Sequence, residues 1–274
     1  MSKPIAWKRI LTEATLRVQK AASEVARRGE RSVDVGLGAS GDRTLLADKV
    51  AEDELLISLS RVGRIRVLSE EAGETGDPDS KLTAILDPLD GSSNFMRGIP
   101  FYCSSTAVVV GRELNDARFA LVRNLVNGDV YFAEKGRGAT KNGKPISTSK
   151  VRDVRDSVTG ADLSSTTVQT IRALEPLLAR ARRQVHFGAN ALELCLLAEG
   201  KIDLFVDTRD RMRIVDFAAA YLVVREAGGM VSSPSGESLR PSLDLKSRFS
   251  LVASANRFLH EETIEVCNEP PGKN

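Results

Sequence analysis

The chain has 274 residues, 42% hydrophobic and 28% charged, with a formal net charge of +2. That composition suits one large soluble globular protein or two lobes sharing a core, and its charge is too small to hold nucleic acid or a membrane by field alone. Cys103, Cys195 and Cys267 are far apart and form no CxxC pair, which excludes a disulfide framework and a zinc knuckle and points to a reducing cytoplasm.

Residues 4–28 place Ile10, Leu11, Ala14, Val18, Ala21, Ala22 and Val25 near a 3.6-residue period, an amphipathic helix rather than a signal peptide. Glycine and charge in 30–43, "ERSVDVGLGASGDR", predict a mobile loop. "TLLADKVAEDELLISLSRV" predicts a second helix, and "RIRVLSE" and "KLTAILD" predict strands separated by the turn chemistry of "AGETGDPDS". "FYCSSTAVVVGREL", "ARFALVRNLVNGDVYFAEKG" and "GATKNGKPIS" follow as antiparallel strands, jointed at "NGD" and "NGK".

Beyond about residue 150, strands ("DSVTGAD", "VHFG", "IDLFVD", "FSLVASAN") alternate with helices ("STTVQTIRALEPLLARAR", "ANALELCLLAEG", "VDFAAAYLVVREAGG"). Such alternation predicts an open mixed sheet with covering helices, hence two lobes, 1–150 and 151–274, with the tail "NEPPGKN" disordered. The basic runs "LARARR" and "RDRMR" read as solvated surface. No apolar run approaches the roughly 18 residues that span a membrane.

Chemistry concentrates in "AILDPLDGSSNF", where an apolar strand ends on Asp87 and Asp90 follows three residues later. Alone, this is equally an ordinary Asp-Gly turn with an N-cap serine. Clustered carboxylates repel, so a cation must stand between them. With oxygen donors and only two histidines in the chain, magnesium suits better than zinc or copper. Gly91 permits close backbone approach, and Gly91, Ser92 and Ser93 can point N–H groups at an anion. Glu70 and Glu71 end another strand, Asp48 lies in the first turn of a helix, and Asp216 precedes an apolar helix closed by Gly228 and Gly229. Acids at strand ends and helix starts are where open sheets build sites.

Three segments together resemble the signatures of the inositol monophosphatase superfamily: "DPLDGSSNF", "SEEAG" and "VDFAAAYLVVREAGG", the last with Val215 where the motif has tryptophan. The likeness runs over about residues 5–256. "GIPFY", "FGANALELCLLAEGKIDLFVDTR" and "ADKVAEDELL" are similar to the archaeal-type branch that hydrolyses both inositol 1-phosphate and fructose 1,6-bisphosphate.

The resemblance implies an α/β (α+β) layered αβαβα sandwich of the sugar phosphatase type, and a cytoplasmic homodimer acting on a small phosphate ester. It implies two to three Mg2+ ions: Glu70, Asp87 and the Leu89 carbonyl hold one, Asp87, Asp90 and Asp216 a second, and the 30–43 loop contributes to a weaker third. Attack is then by water that Glu70 orients or deprotonates. Asp48 acts through a hydroxyl, either Ser92 or Thr44, and Glu71 is a supporting acceptor. Asp90, Gly91, Ser92, Asn190 and Arg209 contact substrate. The branch has an arginine at the position of Val185, for which Arg183 or His186 would substitute. The alternatives are a 3′-phosphoadenosine 5′-phosphate or histidinol phosphate phosphatase, and a non-catalytic RNA- or transcription-associated protein. Neither membrane nor nucleic acid is an expected partner.

Overall fold

Alternation along the strands decides how the layers stack. In the computed structural model, which describes residues 6–39, 41 and 43–269, the first sheet has eight strands. They are β3 (Arg66–Ser69), β4 (Gly73–Gly76), β5 (Leu82–Asp90), β6 (Cys103–Val110), β7 (Ala117–Asn124), β8 (Val130–Glu134), β9 (Ala139–Lys141) and β10 (Lys144–Pro145). Spatially they run β10-β9-β8-β7-β6-β5-β3-β4, with β3 and β5 parallel. Ala84, Leu86, Val108 and Leu121 face one way and pack on α1 (Trp7–Arg27) and α2 (Leu46–Leu59). Ile85, Ala107, Val109, Ala120 and Val122 face the other way, towards α5 (Asn190–Ala198) and α6 (Ile214–Glu226).

The second sheet contains β11 (Val158–Ala161), β12 (Arg183–Val185), β13 (Leu204–Met212), β14 (Met230–Ser232) and β15 (Phe249–Ser254), ordered β12-β11-β13-β15-β14. Phe205, Leu251 and Ala253 close the same core from the far side of α5 and α6. Leu204, Val206 and Val252 point outward to α4 (Val168–Arg180) and α7 (Arg257–Cys267). The order is therefore helix, sheet, helix, sheet, helix, the expected αβαβα sandwich. Because α5 and α6 lie between two sheets they are apolar nearly all round, and Ala218, Ala220, Val223 and Val224 are fully buried. Among the described residues no helix is long and apolar enough to cross a membrane.

Two local expectations need correction. The 30–43 stretch is not simply a loop: β1 (Asp34–Leu37) pairs antiparallel with β2 (Arg43–Leu45), though Ser40 and Asp42 lie outside the described residues. The strand expected at "VHFG" ends at Val185. Beyond it, Phe187 and Gly188 donate their N–H groups to Glu193 at 2.9 Å, and the Phe187 carbonyl accepts from Asn94 at 2.6 Å. Side chains thus satisfy the backbone there, and no neighbouring strand is needed. Residues 1–5 and 270–274, including most of the tail expected to be disordered, lie outside the described residues.

His260 of α7 is buried between the hydroxyls of Ser254 (2.7 Å) and Ser232 (2.8 Å). Burial holds its pKa below the usual 6.5, against a smaller opposing effect of Glu261. Below about pH 6.5 the unfolded chain therefore takes up a proton that the folded chain refuses. Stability falls as pH drops from there through the folded value, by at most about 1.4 kcal/mol per pH unit from this group. His260→Gln should flatten that part of a denaturant midpoint–pH profile, and an unchanged slope would refute the assignment.

Candidate active site

The spacing of Asp87 and Asp90 would send them to opposite faces of a straight strand. A bulge prevents this. Asp87 pairs with Ser105 and Asp90 with Cys103, so three steps along β5 match two along β6. Pro88, which has no N–H to give the ladder, sits within the irregularity. The strand then ends at Gly91, whose φ is +87°. A Cβ there would come within 3.0 Å of the Phe101 carbonyl oxygen and of the Ala189 Cβ, so both the backbone conformation and the available space call for glycine. The short helix α3 (Ser92–Arg97) follows.

Asp216 and Asp48 are delivered by one device. Each is the third residue of its helix and accepts the N–H of the residue three positions earlier: Arg213 to Asp216 at 2.7 Å, Leu45 to Asp48 at 2.8 Å. An N-terminal carboxylate also suits the helix dipole. Asp216 is therefore inside the first turn of α6 rather than its N-cap. Glu70 follows β3, beside β5, where Ser69 pairs with Leu86.

These elements gather Glu70, Asp87, Leu89, Asp90, Gly91, Ser92, Ser93, Gly188, Asn190, Arg213 and Asp216 around one cavity of about 220 Å³. Burial raises the pKa of all four carboxyls: Glu70 to about 7, Asp90 to about 8 and Asp87 well above its usual value, with repulsion from neighbouring carboxylates adding in these three, and Asp216 upward despite Arg213. Asp90 accepts the Ala191 N–H at 2.8 Å at the start of α5. Asp87 Oδ1 is buried with no hydrogen-bond partner among the described residues.

Arg213 was not foreseen as a site residue. Its guanidinium bridges Glu70 Oε1 (2.5 Å) and Asp216 Oδ1 (3.1 Å). Burial opposes its charge, but Asp216 and Glu70 outweigh that and raise its pKa. Among the described residues no three His, Cys, Asp or Glu side chains already cluster tightly enough to coordinate one ion. The donors nevertheless suit a hard divalent cation. They are carboxylate and carbonyl oxygens, no histidine is among the described residues lining the cavity, and Asp87 Oδ1 is buried with no hydrogen-bond partner among the described residues.

Other expected site residues lie apart. The Thr44 hydroxyl is hydrogen-bonded to Glu71, and Gly38 packs so closely on that pair that a Cβ would collide with Glu71 Oε2. Asp48 is buried, with its pKa raised to about 7 by burial and further by Glu71, Glu70 and Glu52, although its Leu45 hydrogen bond opposes this. Arg209 does not line the cavity: it binds Asp207 (3.0 and 2.6 Å), Asp162 (2.5 Å) and the Ser164 carbonyl (2.7 Å). "RDRMR" is therefore not a solvated run, since the side chains of Arg209 and Arg213 are only 9% and 17% exposed. His186 lies near Ser164 (3.2 Å), Glu193 (3.5 Å) and Asp162 (3.7 Å), and its Glu193 contact raises its pKa. Arg183 is exposed and Cys103 is buried.

The model of the inositol monophosphatase family matches residues 7–270. A fructose-1,6-bisphosphatase/inositol-1-monophosphatase of Methanothermobacter thermautotrophicus is 37% identical over 95% of this chain and 97% of its own length. A bifunctional NADP phosphatase/NAD kinase of Methanococcus maripaludis is 33% identical over 85% of this chain but only 44% of its own. The crystal structure of the extragenic suppressor protein SuhB from Bartonella henselae superposes with a TM-score of 0.84 at 28% identity, covering 97% of this chain and 99% of that one. With the family model matched across nearly the whole chain, the chain belongs to the inositol monophosphatase family.

Proposed function

We propose that the protein is a phosphomonoester hydrolase, dependent on a divalent cation, acting on inositol 1-phosphate and fructose 1,6-bisphosphate. The observation that carries this is the meeting of Glu70, Asp87, Asp90 and Asp216 around one cavity, with an orphaned Asp87 oxygen inside it. The activities of the Methanothermobacter relative supply the substrate class. Glu70, Asp87, Asp90, Asp216 and the Leu89 carbonyl would hold Mg2+, and Mg2+ bound there would lower the pKa of a water and offset charge on the leaving oxygen.

The chain's own groups supply the rest. Glu70, at the edge of the cavity, would orient a water or take its proton at its Oε atoms. Asp48 and the Thr44–Glu71 pair stand behind it as a further set of acids. Gly91 and Ser92 line the cavity beside Asp90, where a phosphate would rest, and Asn190 faces it from α5. A cation entering competes with Arg213 for Glu70 and Asp216.

The test is a phosphomonoester panel containing inositol 1-phosphate, fructose 1,6-bisphosphate, 3′-phosphoadenosine 5′-phosphate and histidinol phosphate, each with Mg2+ or EDTA. Hydrolysis of the first two with the highest kcat/KM, abolished by EDTA, is the expected result. Turnover undiminished by EDTA, or none on any ester, would reject the reading.

A further inference from the structure

Glu52 lies one turn after Asp48 on the buried face of α2 and is only 1% exposed. Its ion pair with Lys49 is long, 4.0 Å from Oε2 to Nζ. Burying a carboxyl with so distant a cation costs the fold more than burying an apolar side chain of similar size. The reason for it lies in what it holds.

Glu52 Oε1 accepts two hydrogen bonds from one hairpin: the Ser69 hydroxyl at 2.6 Å and the Ala72 N–H at 2.7 Å. Ser69 pairs with Gly73 at the closed end of β3 and β4, so Glu70, Glu71 and Ala72 form the loop between them. One oxygen thus grips the hairpin just before Glu70 and just after Glu71. A further tie is the Glu71 carbonyl, which accepts the Ala39 N–H at 2.8 Å. The Glu70 side chain is held from elsewhere, by Arg213. That hold is the one an entering cation contests. Once Arg213 has let go, Glu70 stays in place through its backbone, and that backbone is what Glu52 fixes.

We propose that Glu52 is a positioning residue for the cation site, acting through Ser69 and Ala72 to set the loop that carries Glu70. The inference rests on the reading of Glu70 as a cation ligand, and adds how a ligand on a hairpin loop is kept rigid while its side chain changes partner. Because both bonds end on one oxygen, the role requires an acceptor rather than a charge.

The experiment titrates Mg2+ alone into the wild type, Glu52→Gln, Glu52→Met and Ser69→Ala, reading Kd by calorimetry and melting temperature in EDTA. Values of kcat and KM for inositol 1-phosphate are measured beside them. Glutamine offers a carbonyl oxygen in place of Oε1, so its Kd should stay within about threefold of wild type. Methionine is of similar size with no such acceptor, and its Kd should rise by about 10–100-fold, with kcat lowered more than KM is changed. Ser69→Ala removes one of the two bonds and should raise Kd by about threefold or more. A purely structural role would lower the melting temperature in EDTA and leave the Mg2+ Kd of the folded variants unchanged. An unchanged Kd in Ser69→Ala, or in Glu52→Met where that variant folds, overturns the proposal, and so does a loss in Glu52→Gln equal to that in Glu52→Met. Mg2+ binding without turnover of any ester would reject the phosphatase reading alone, and the Kd comparison would still decide the role of Glu52. No Mg2+ binding by the wild type overturns both.

Discussion

Asp90→Asn should fold normally and lose at least about a hundredfold in kcat/KM on inositol 1-phosphate at saturating Mg2+. The substitution is nearly isosteric, and an amide oxygen can still accept the Ala191 N–H that Asp90 accepts at 2.8 Å. What disappears is the negative charge. Burial already opposes that charge, raising the Asp90 pKa to about 8, so a neutral side chain is at least as easy to enclose. The melting temperature in EDTA should therefore hold or rise, while the gain from added Mg2+ shrinks. Outer groups that merely orient a metal ligand typically matter by 10–100-fold, so a direct ligand should reach or pass the top of that range, about 2.7 kcal/mol of transition-state stabilisation. Activity within tenfold of wild type would remove Asp90 from the cation site. A fallen melting temperature in EDTA would mean that the charge serves the fold instead.

Much of this was legible because it is local. Alternating apolar strands and helices predicted sheets with covering helices, the layered sandwich followed from the family resemblance, and the bulge of β5 between Asp87 and Asp90 was not read. Asp48 and Asp216 were each visible at a helix start, but the shared backbone hydrogen bond that places them was not. Arg213 was not. In the sequence it closes a run of charges, "RDRMR", which usually means solvent. The run turns inward because the β13–β15 ladder breaks there. Between the pairs Asp207–Leu251 and Met212–Phe249, five steps on β13 match two on β15, with Asp210 at a φ of +53°. That excursion puts Arg209 among Asp162 and Asp207, and Arg213 among the cavity acids. Pairing of this kind depends on a partner strand some forty residues away, and no local pattern encodes it. "VHFG" misled for the related reason that distant side chains, Asn94 and Glu193, take its backbone hydrogen bonds.

Arg213→Met should lower the melting temperature in EDTA by roughly 6 to 20 °C, and millimolar Mg2+ should restore more of it in the variant than in the wild type. The guanidinium is only 17% exposed and bridges Glu70 and Asp216, themselves 20% and 16% exposed. Removing one partner of a buried ion pair costs about 3–5 kcal/mol, because the remaining charge is left without compensation. For a chain of this size each kcal/mol moves the midpoint by roughly 2–4 °C. Methionine keeps much of the apolar stem, so the loss reports charge more than packing. A divalent cation binding the folded chain alone stabilises it by mass action, by about 2.7 kcal/mol at a hundred times its Kd. In the wild type that cation must compete with Arg213 for Glu70 and Asp216, whereas in the variant those carboxylates are open to it. Arg213→Lys should fall between, since an ammonium keeps the charge but not the two-armed geometry. Equal Mg2+ gains in wild type and variant would show that the cation and Arg213 do not share ligands. No Mg2+ gain in either would remove the cation from this cavity altogether.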